Sequence, residues 1–327
     1  MKTLKLMNRS NALRFALIIA LGVVAVGCDD KDDFASPANQ QNESKDIMEV
    51  LVSYDQIATF DDDGDDKAAL SRPTSFSTLN VALAKTGLAG TVSRNRLTVF
   101  APTDEAFAEL GLNPGNIGDV PNLKEILLYH VVAGMVYSYQ LSSGFVPTLN
   151  GAAVEIDLSN GVMVNDANVI AADIKARNGV IHAIDKVLFP PTQNIVEIAA
   201  ANENFSILVA AVIAAELDGV LSGDGPFTVF APTNAAFEAL PAGTIEALLA
   251  DPKGALTDIL LYHVVEGRVF SSDLATGPVT SIGGETFEVN TADFTITDNA
   301  SQVANIIAAN IQGTNGVIHV IDKVILP

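Results

Sequence analysis

The sequence predicts an α+β fold in which one domain occurs twice, each copy placing several helices against an antiparallel β-sandwich. Three observations support this fold class. Three sequence blocks recur in the same order in the two halves of the chain. Apolar, alanine-rich segments typical of helices alternate with short β-branched and aromatic runs typical of strands. Asn-Gly pairs, which favour tight turns, separate strand-like runs in the first copy.

The repeated blocks define two domains. Residues 98–107 recur at 228–237, residues 126–132 recur unchanged at 259–265, and residues 178–190 recur at 315–327. The offsets of 130, 133 and 137 residues drift only by small loop insertions, so the sequence indicates a tandem duplication. We predict domain 1 at 47–190 and domain 2 at 193–327. The short, stiff joint Pro190-Pro191-Thr192-Gln193 predicts a limited range of angles between them.

Helices and one strand are predicted in the first part of each copy. The run Leu97–Phe100 is β-branched and aromatic, and it predicts a strand that Pro102 ends. Thr103 is placed to cap the next helix, on which Phe107 and Leu110, three residues apart, predict an apolar face.

The same pattern recurs in the second copy, where Phe227–Phe230 predicts the strand and Thr233 the cap. The apolar segment Ile195 to Leu217 predicts two packed helices broken near Asn202.

Strands are predicted in the second part of the first copy. Their ranges are Val154–Leu158, Val162–Val164, Val169–Ile174 and Val180–Leu188, with Asn-Gly turns at 160–161 and 178–179.

The N-terminus is predicted to be a lipoprotein signal peptide, residues 1–27. Four basic residues precede the apolar run Phe15–Val26, which is shorter than the roughly 20 residues of a membrane span. Small residues lie directly before Cys28, as in a bacterial lipobox, although Ala25 stands where leucine is usual. Cys28 is the only cysteine of the chain, so lipid attachment is predicted there and an intramolecular disulfide is excluded.

Residues 28–46 predict an acidic, polar tether. Its acidic run after Cys28 resembles the surface-export signal of Bacteroidetes lipoproteins, whereas an aspartate in that place retains enterobacterial lipoproteins in the inner membrane. We expect a lipid-anchored protein of the bacterial cell envelope, on the outer membrane and facing the surface, with a periplasm-facing arrangement as the alternative.

Composition excludes some partners. The chain carries 18 basic against 39 acidic residues, a net charge of −21, which repels the phosphate backbone of nucleic acids. Removing residues 1–27 deletes four basic residues and no acidic ones, which takes the net charge to −25. Tryptophan is absent and aromatic residues make up 6%, so an aromatic carbohydrate platform is not indicated.

The block Thr-Val-Phe-Ala-Pro-Thr, the Tyr-His dipeptide and the terminal Asn-Gly-Val-Ile-His block together resemble the fasciclin domain family, in both copies. The resemblance implies a β-sandwich wedge with several helices and a role in adhesion or contacts with extracellular matrix. One departure is an acidic insertion at about 60–67, which interrupts the first helical segment of domain 1.

Tyr129-His130 and Tyr262-His263 resemble the Tyr-His motif through which animal members of the family are thought to bind integrins, so all four residues are candidates for ligand binding. Bacteria have no integrin partner, and the resemblance transfers a surface rather than a ligand. Each dipeptide lies in the apolar run Ile-Leu-Leu-Tyr-His-Val-Val, so the favoured alternative is a buried ring with a bonded hydroxyl.

The remaining histidines, His182 and His319, invite a metal or catalytic interpretation. Zinc usually takes about three or four protein ligands, and the spacing of the four histidines supports no such site. We expect them to pack and to bond backbone groups, as we expect of Asp185 and Asp322. No nucleophile elbow, phosphate loop or zinc-protease motif occurs, so neither an enzyme nor a cofactor is predicted.

The acidic insertion invites a calcium interpretation through Asp61, Asp63 and Asp65. With Gly64 as the sixth residue of an EF-type loop, the first and last ligand positions carry unsuitable residues. We favour a solvated charged loop.

The sequence therefore predicts a non-catalytic adhesion lipoprotein that binds a protein or polysaccharide of a neighbouring cell, matrix or host surface, through several weak contacts at once. The alternatives are a structural envelope protein that associates weakly with itself and a periplasmic metal-dependent enzyme or accessory protein.

Overall fold

The computed structural model describes residues 44–57 and 74–327. Among these residues, both repeats belong to one compact unit. The predicted signal peptide, Cys28 and the acidic insertion with Asp61, Asp63 and Asp65 lie outside the described residues.

Domain 1 begins with helices and ends in strands. Its elements are α1 (Ile47–Ile57), α2 (Ser77–Lys85), α3 (Ala89–Arg94), β1 (Leu97–Pro102), α4 (Asp104–Ala108), α5 (Leu123–Tyr129), β2 (Val131–Ala133), β3 (Gly144–Pro147), β4 (Ala153–Asp157), β5 (Met163–Val164), β6 (Ala167–Ala176) and β7 (Gly179–Ile184). Short 3-10 turns lie at Ile117–Asp119 and Ser138–Gln140.

Domain 2 repeats this order with one additional helix. Its elements are α6 (Ile195–Ala200), α7 (Ser206–Ala214), α8 (Asp218–Leu221), β8 (Phe227–Pro232), α9 (Asn234–Glu238), α10 (Thr244–Ala250), α11 (Ala255–Tyr262), β9 (Val264–Glu266), β10 (Gly277–Thr280), β11 (Thr286–Asn290), β12 (Thr295–Thr297), β13 (Val303–Gly313) and β14 (Gly316–Ile321). A 3-10 turn at Glu203–Phe205 separates α6 from α7, at the predicted break.

Each domain is built on one seven-stranded sheet, with the order β2-β1-β7-β6-β5-β4-β3 in domain 1 and the equivalent order in domain 2. The α+β fold class and the tandem arrangement are confirmed. One pairing in each domain departs from the antiparallel expectation, because β1 runs parallel to β7 and β8 runs parallel to β14. Parallel neighbours require a long connection, and here the rest of the domain, from α4 to β6, supplies it.

Two cores form on the two faces of the central strands. On one face Val99 and Ile181 pack with the helices, and on the other Phe100 and Ile184 pack with β4 and β5. The long strand β6 joins the two parts of the sheet, and shifts in its pairing register with β7 bend it. Residues of β1 and β7 are therefore buried on both faces, which explains their continuous apolar pattern.

The predicted helix caps are present. The Thr103 hydroxyl accepts a hydrogen bond from the backbone N–H of Ala106, and Thr233 caps α9 in the same way. The predicted apolar face beyond the first cap is wrong at Leu110, which is exposed while Phe107 is buried. The cause is the length of α4, which ends at Ala108, so Leu110 lies in the turn that follows.

Asparagine side chains connect the hairpins to the first helices. Asn315 Oδ1 accepts from the N–H of Ile195 at 3.0 Å, and its Nδ2 donates to the carbonyls of Leu221 and Gly223. Asn178 makes the equivalent contact to the N–H of Ile47 in domain 1. Each asparagine thereby satisfies the first free donor of a helix and fixes that helix on the sheet.

Candidate functional site: the Tyr-His motifs and the domain joint

The four motif residues lie inside the domains. Tyr129 and His130 are 2% and 1% exposed, and Tyr262 and His263 are 1% and 2% exposed. The folded domain therefore offers a ligand the surface above these residues rather than the side chains themselves.

His130 connects the end of α5 to the last segment of domain 1. Its Nδ1 donates to the carbonyl of Ile126 at 2.8 Å, and its Nε2 accepts from the N–H of Leu188 at 2.9 Å. This arrangement requires the neutral ring. Burial lowers the pKa of His130 to about 4, against the opposing hydrogen bond to Ile126.

His263 makes the same connection in domain 2. Its Nδ1 donates to the carbonyl of Ile259 at 2.7 Å, and its Nε2 accepts from the N–H of Ile325 at 3.1 Å. Burial lowers its pKa to about 4 as well. Both nitrogens of each ring are engaged, so neither ring has a lone pair directed at a metal or a substrate proton.

His182 and His319 are also buried and bonded to backbone. His182 Nε2 donates to the carbonyl of Val136 at 3.0 Å, and His319 Nε2 donates to that of Val269 at 2.9 Å. Burial lowers the pKa of both rings. Among residues 44–57 and 74–327, no group of three or more histidine, cysteine, aspartate or glutamate side chains could hold a metal ion.

The two aspartates of the terminal blocks, Asp185 and Asp322, each bind an asparagine of the neighbouring strand. Asp185 accepts from the backbone N–H and side-chain Nδ2 of Asn168 at 2.7 and 2.6 Å, and Asp322 makes the same pair of bonds with Asn305. These carboxylates are satisfied by neighbouring strands, and they serve the fold.

The Tyr129 hydroxyl lies beside the contact between the domains. It donates to the carbonyl of Ala153 at 2.8 Å, as Tyr262 does to the carbonyl of Thr286. Ala153 of domain 1 also binds Gln312 of domain 2. The Gln312 Nε2 donates to the carbonyl of Ala153, and the Gln312 Oε1 accepts from the N–H of Ala153. These two hydrogen bonds connect the domains in the way that neighbouring β-strands pair, with one bond donated and one accepted.

Aromatic stacking completes this joint. The rings of Phe145 and Phe270 lie 4.0 Å apart and almost parallel. Arg268 supports the joint by donating to the side chain of Gln312 and to the carbonyls of Gly313 and Gly316. Sequence reasoning did not find these residues, because Phe145, Arg268 and Gln312 lie outside the repeated blocks.

A cleft of about 530 Å³ opens beside the joint. Phe145 and Phe270 form its apolar part, while Arg268, Asp224 and Asp273 supply charged groups. The cleft therefore combines aromatic rings with charged side chains of both signs.

The chain belongs to the fasciclin domain family. The family model "Fasciclin domain" matches residues 74–190 and again 203–327. Protein sll1483 of Synechocystis sp. is 53% identical over 134 residues, which cover 41% of this chain and 73% of that protein.

Animal and mycobacterial proteins are also similar. Transforming growth factor-beta-induced protein ig-h3 of Sus scrofa is 36% identical over 241 residues, covering 70% of this chain but only 34% of its own length. Immunogenic protein MPB70 of Mycobacterium bovis is 32% identical over 144 residues, covering 42% of this chain and 70% of that protein.

Among solved structures, a FAS1 domain pair from the insect cell adhesion molecule fasciclin I aligns over 76% of this chain and 96% of its own. The sequence identity is 20% and the TM-score 0.38.

Proposed function

We propose that the chain is a non-catalytic adhesion lipoprotein of the bacterial cell envelope, anchored through Cys28. It presents two fasciclin domains to a protein or polysaccharide of a neighbouring cell, matrix or host. The match of both repeats to the fasciclin domain family carries this proposal. The histidine geometry supports it, because the four rings are neutral, buried and fully engaged with backbone groups.

The charge of the chain supports a binding role at a surface. The net charge of −25 that remains without residues 1–27 favours partners that carry basic groups and keeps neighbouring copies apart. Two domains on one chain, and many chains on one membrane, raise the effective concentration of weak sites. In the part of the chain that the structure describes, no helix is both long and apolar enough to cross a membrane.

Metabolic labelling with a fatty acid tests the anchor. We expect label on the full chain, none on the Cys28→Ala variant, and removal of the protein from intact cells by added protease. Unlabelled, secreted protein would refute the anchor, and labelled but protease-resistant protein would refute surface display.

Adhesion itself is tested by comparing cells that express the full chain with cells that lack it, on surfaces coated with matrix protein, polysaccharide or neighbouring cells. Greater attachment of the expressing cells to at least one coating is expected. Equal attachment to every coating contradicts the adhesive role.

A further inference from the structure

Domain 2 contains an apolar cavity between its first helices and its sheet. The cavity measures about 50 Å³ and lies among Ile195 and Ala199 of the first helix, Val212 and Ile213 of the second, and Val229 of the central strand. Its lining is almost entirely hydrocarbon, and water in such a space finds few hydrogen-bonding partners.

The duplication shows what fits there. Ile47 and Ile195 occupy equivalent places, because the N–H of each is bound by the asparagine of the corresponding hairpin. Four residues further along each helix, domain 1 carries Leu51 and domain 2 carries Ala199. Leu51 is fully buried in the helix-side core of domain 1, whereas Ala199 is half-buried and borders the cavity. Domain 2 therefore lacks a leucine side chain that its own duplicate contains.

The cavity reaches the surface. Val229 of the central strand is half-buried, although its equivalent in domain 1, Val99, is buried. Ile213 at the rim is 58% exposed, so the opening carries an accessible aliphatic side chain. An incoming group can therefore contact both the rim and the sheet beneath it.

The helices around the opening are acidic. The segment 195–221 contains Glu197, Glu203, Glu216 and Asp218 and no lysine or arginine, and of these Glu216 is paired with Lys253 from later in domain 2. Domain 2 as a whole (193–327) has three basic against sixteen acidic residues, a net charge of −13. This field disfavours anionic amphiphiles such as fatty acids and favours an apolar group flanked by positive charges.

We propose that this cavity is a docking site for an aliphatic side chain of leucine size, presented by a partner protein with lysine or arginine beside it. This inference rests on the proposed adhesive function and names where and what one of the two domains binds. The partner's side chain fills the place that Leu51 fills in domain 1, and its cationic neighbours face the acidic helices.

The test uses the full chain in phosphatidylcholine nanodiscs and a blocked peptide of sequence Lys-Gly-Leu-Gly-Lys. We expect saturable binding with methyl NMR shifts centred on Ile195, Ile213 and Val229. Replacing the peptide leucine by alanine should weaken binding about tenfold or more, since burying a leucine side chain contributes on that order. Replacing its lysines by glutamates should also weaken binding, because the acidic helices then repel the peptide.

Matched variants locate the site. Ala199→Leu should fill the cavity, keep or raise the thermal midpoint and weaken the peptide about tenfold, whereas Ala200→Leu, at an exposed neighbouring position, should bind like the wild type within about twofold. If Ala199→Leu does not fold, Ile213→Glu provides a second loss-of-binding variant at the exposed rim. Equal binding by wild type and a folded Ala199→Leu, or methyl shifts elsewhere, overturns the proposal.

Other occupants give different results. Cavity methyl signals that already shift when the protein enters the nanodiscs, before peptide is added, indicate a lipid chain. Cavity methyl shifts that grow with protein concentration indicate a second copy. Either result overturns the proposal. Cell attachment distinguishes the two levels. If attachment persists in Ala199→Leu, the cavity is not the adhesive site although adhesion stands. If expressing and non-expressing cells attach equally, adhesion itself fails.

Discussion

At the scale of single residues, the histidines act as neutral connectors between backbone segments. His130 joins the end of a helix to the terminal segment of domain 1, and His263 does so in domain 2. A protonated ring would lose the acceptor at Nε2 and place a charge in the core, and burial penalises both changes. This arrangement ties the stability of each domain to pH.

We expect stability to fall between about pH 6.5 and pH 4. Histidines in the unfolded chain have a pKa near 6.5, whereas His130 and His263 have a pKa of about 4 in the folded domains. Within this window the unfolded chain binds protons that the folded chain excludes, so stability is full above the window and declines by about 1.4 kcal/mol per pH unit for each ring. Urea midpoints measured from about pH 7 down to pH 5 check this.

The control for this prediction is His130→Gln. It should be less stable than the wild type at neutral pH but should show a shallower decline with acidity, because one titrating ring has been removed. A wild-type midpoint that stays constant from about pH 7 to pH 5 would contradict the neutral-connector role.

At the scale of elements, the Asn-Gly hairpins do more than reverse the chain. Asn315 binds the first helix of domain 2 through the N–H of Ile195. Its three hydrogen bonds use both the acceptor and the donor atoms of the side-chain amide. The glycine after it is equally restricted, because a Cβ at Gly316 would lie 2.3 Å from the carbonyl oxygen of Phe227. The pair therefore specifies the docking of a helix onto the sheet as well as a turn.

Asn315→Ala should destabilise domain 2 by about 2–4 kcal/mol, since it leaves buried backbone groups without partners. Amide hydrogen exchange of β14 measures the effect. The matched control is Asn95→Ala, whose side chain makes one exposed hydrogen bond to Thr91 and should cost less than about 0.5 kcal/mol. Equal effects of the two substitutions would show that the helix is held by packing alone.

At the scale of the whole molecule, the joint between the domains is specific. Gln312 pairs with both backbone groups of Ala153, and Phe145 stacks on Phe270. The prolines of the joint predicted a limited range of angles between the domains. The contacts of Ala153 with Gln312 and of Phe145 with Phe270 add specific interactions between the two domain surfaces. The same joint brings the Tyr129 hydroxyl of the Tyr-His motif next to domain 2.

Removing the joint's side chains should free the domains without unfolding them. The double variant Phe145→Ala/Gln312→Ala should increase the radius of gyration in small-angle scattering and separate the rotational correlation times of the domains. An aromatic pair of this kind contributes about 0.5–1.5 kcal/mol beyond its burial. Phe294→Ala, at a half-exposed turn that takes part in neither contact, should change neither quantity. Unchanged scattering by the double variant would show that the prolines alone set the angle.

The duplication, the α+β class, the helix caps at Thr103 and Thr233 and the break between α6 and α7 can all be predicted from the amino-acid sequence. These features depend on local propensity and on comparison of the chain with itself. The folded structure was needed to show three further features. Strand β1 pairs in parallel with β7, the four histidines lie inside with both ring nitrogens hydrogen-bonded, and Gln312 contacts Ala153. These features depend on contacts between residues far apart in the chain, for which periodicity carries no signal. The cavity beside Ala199 belongs to both: the sequence contains the leucine-to-alanine difference, but only the fold shows that it opens a space.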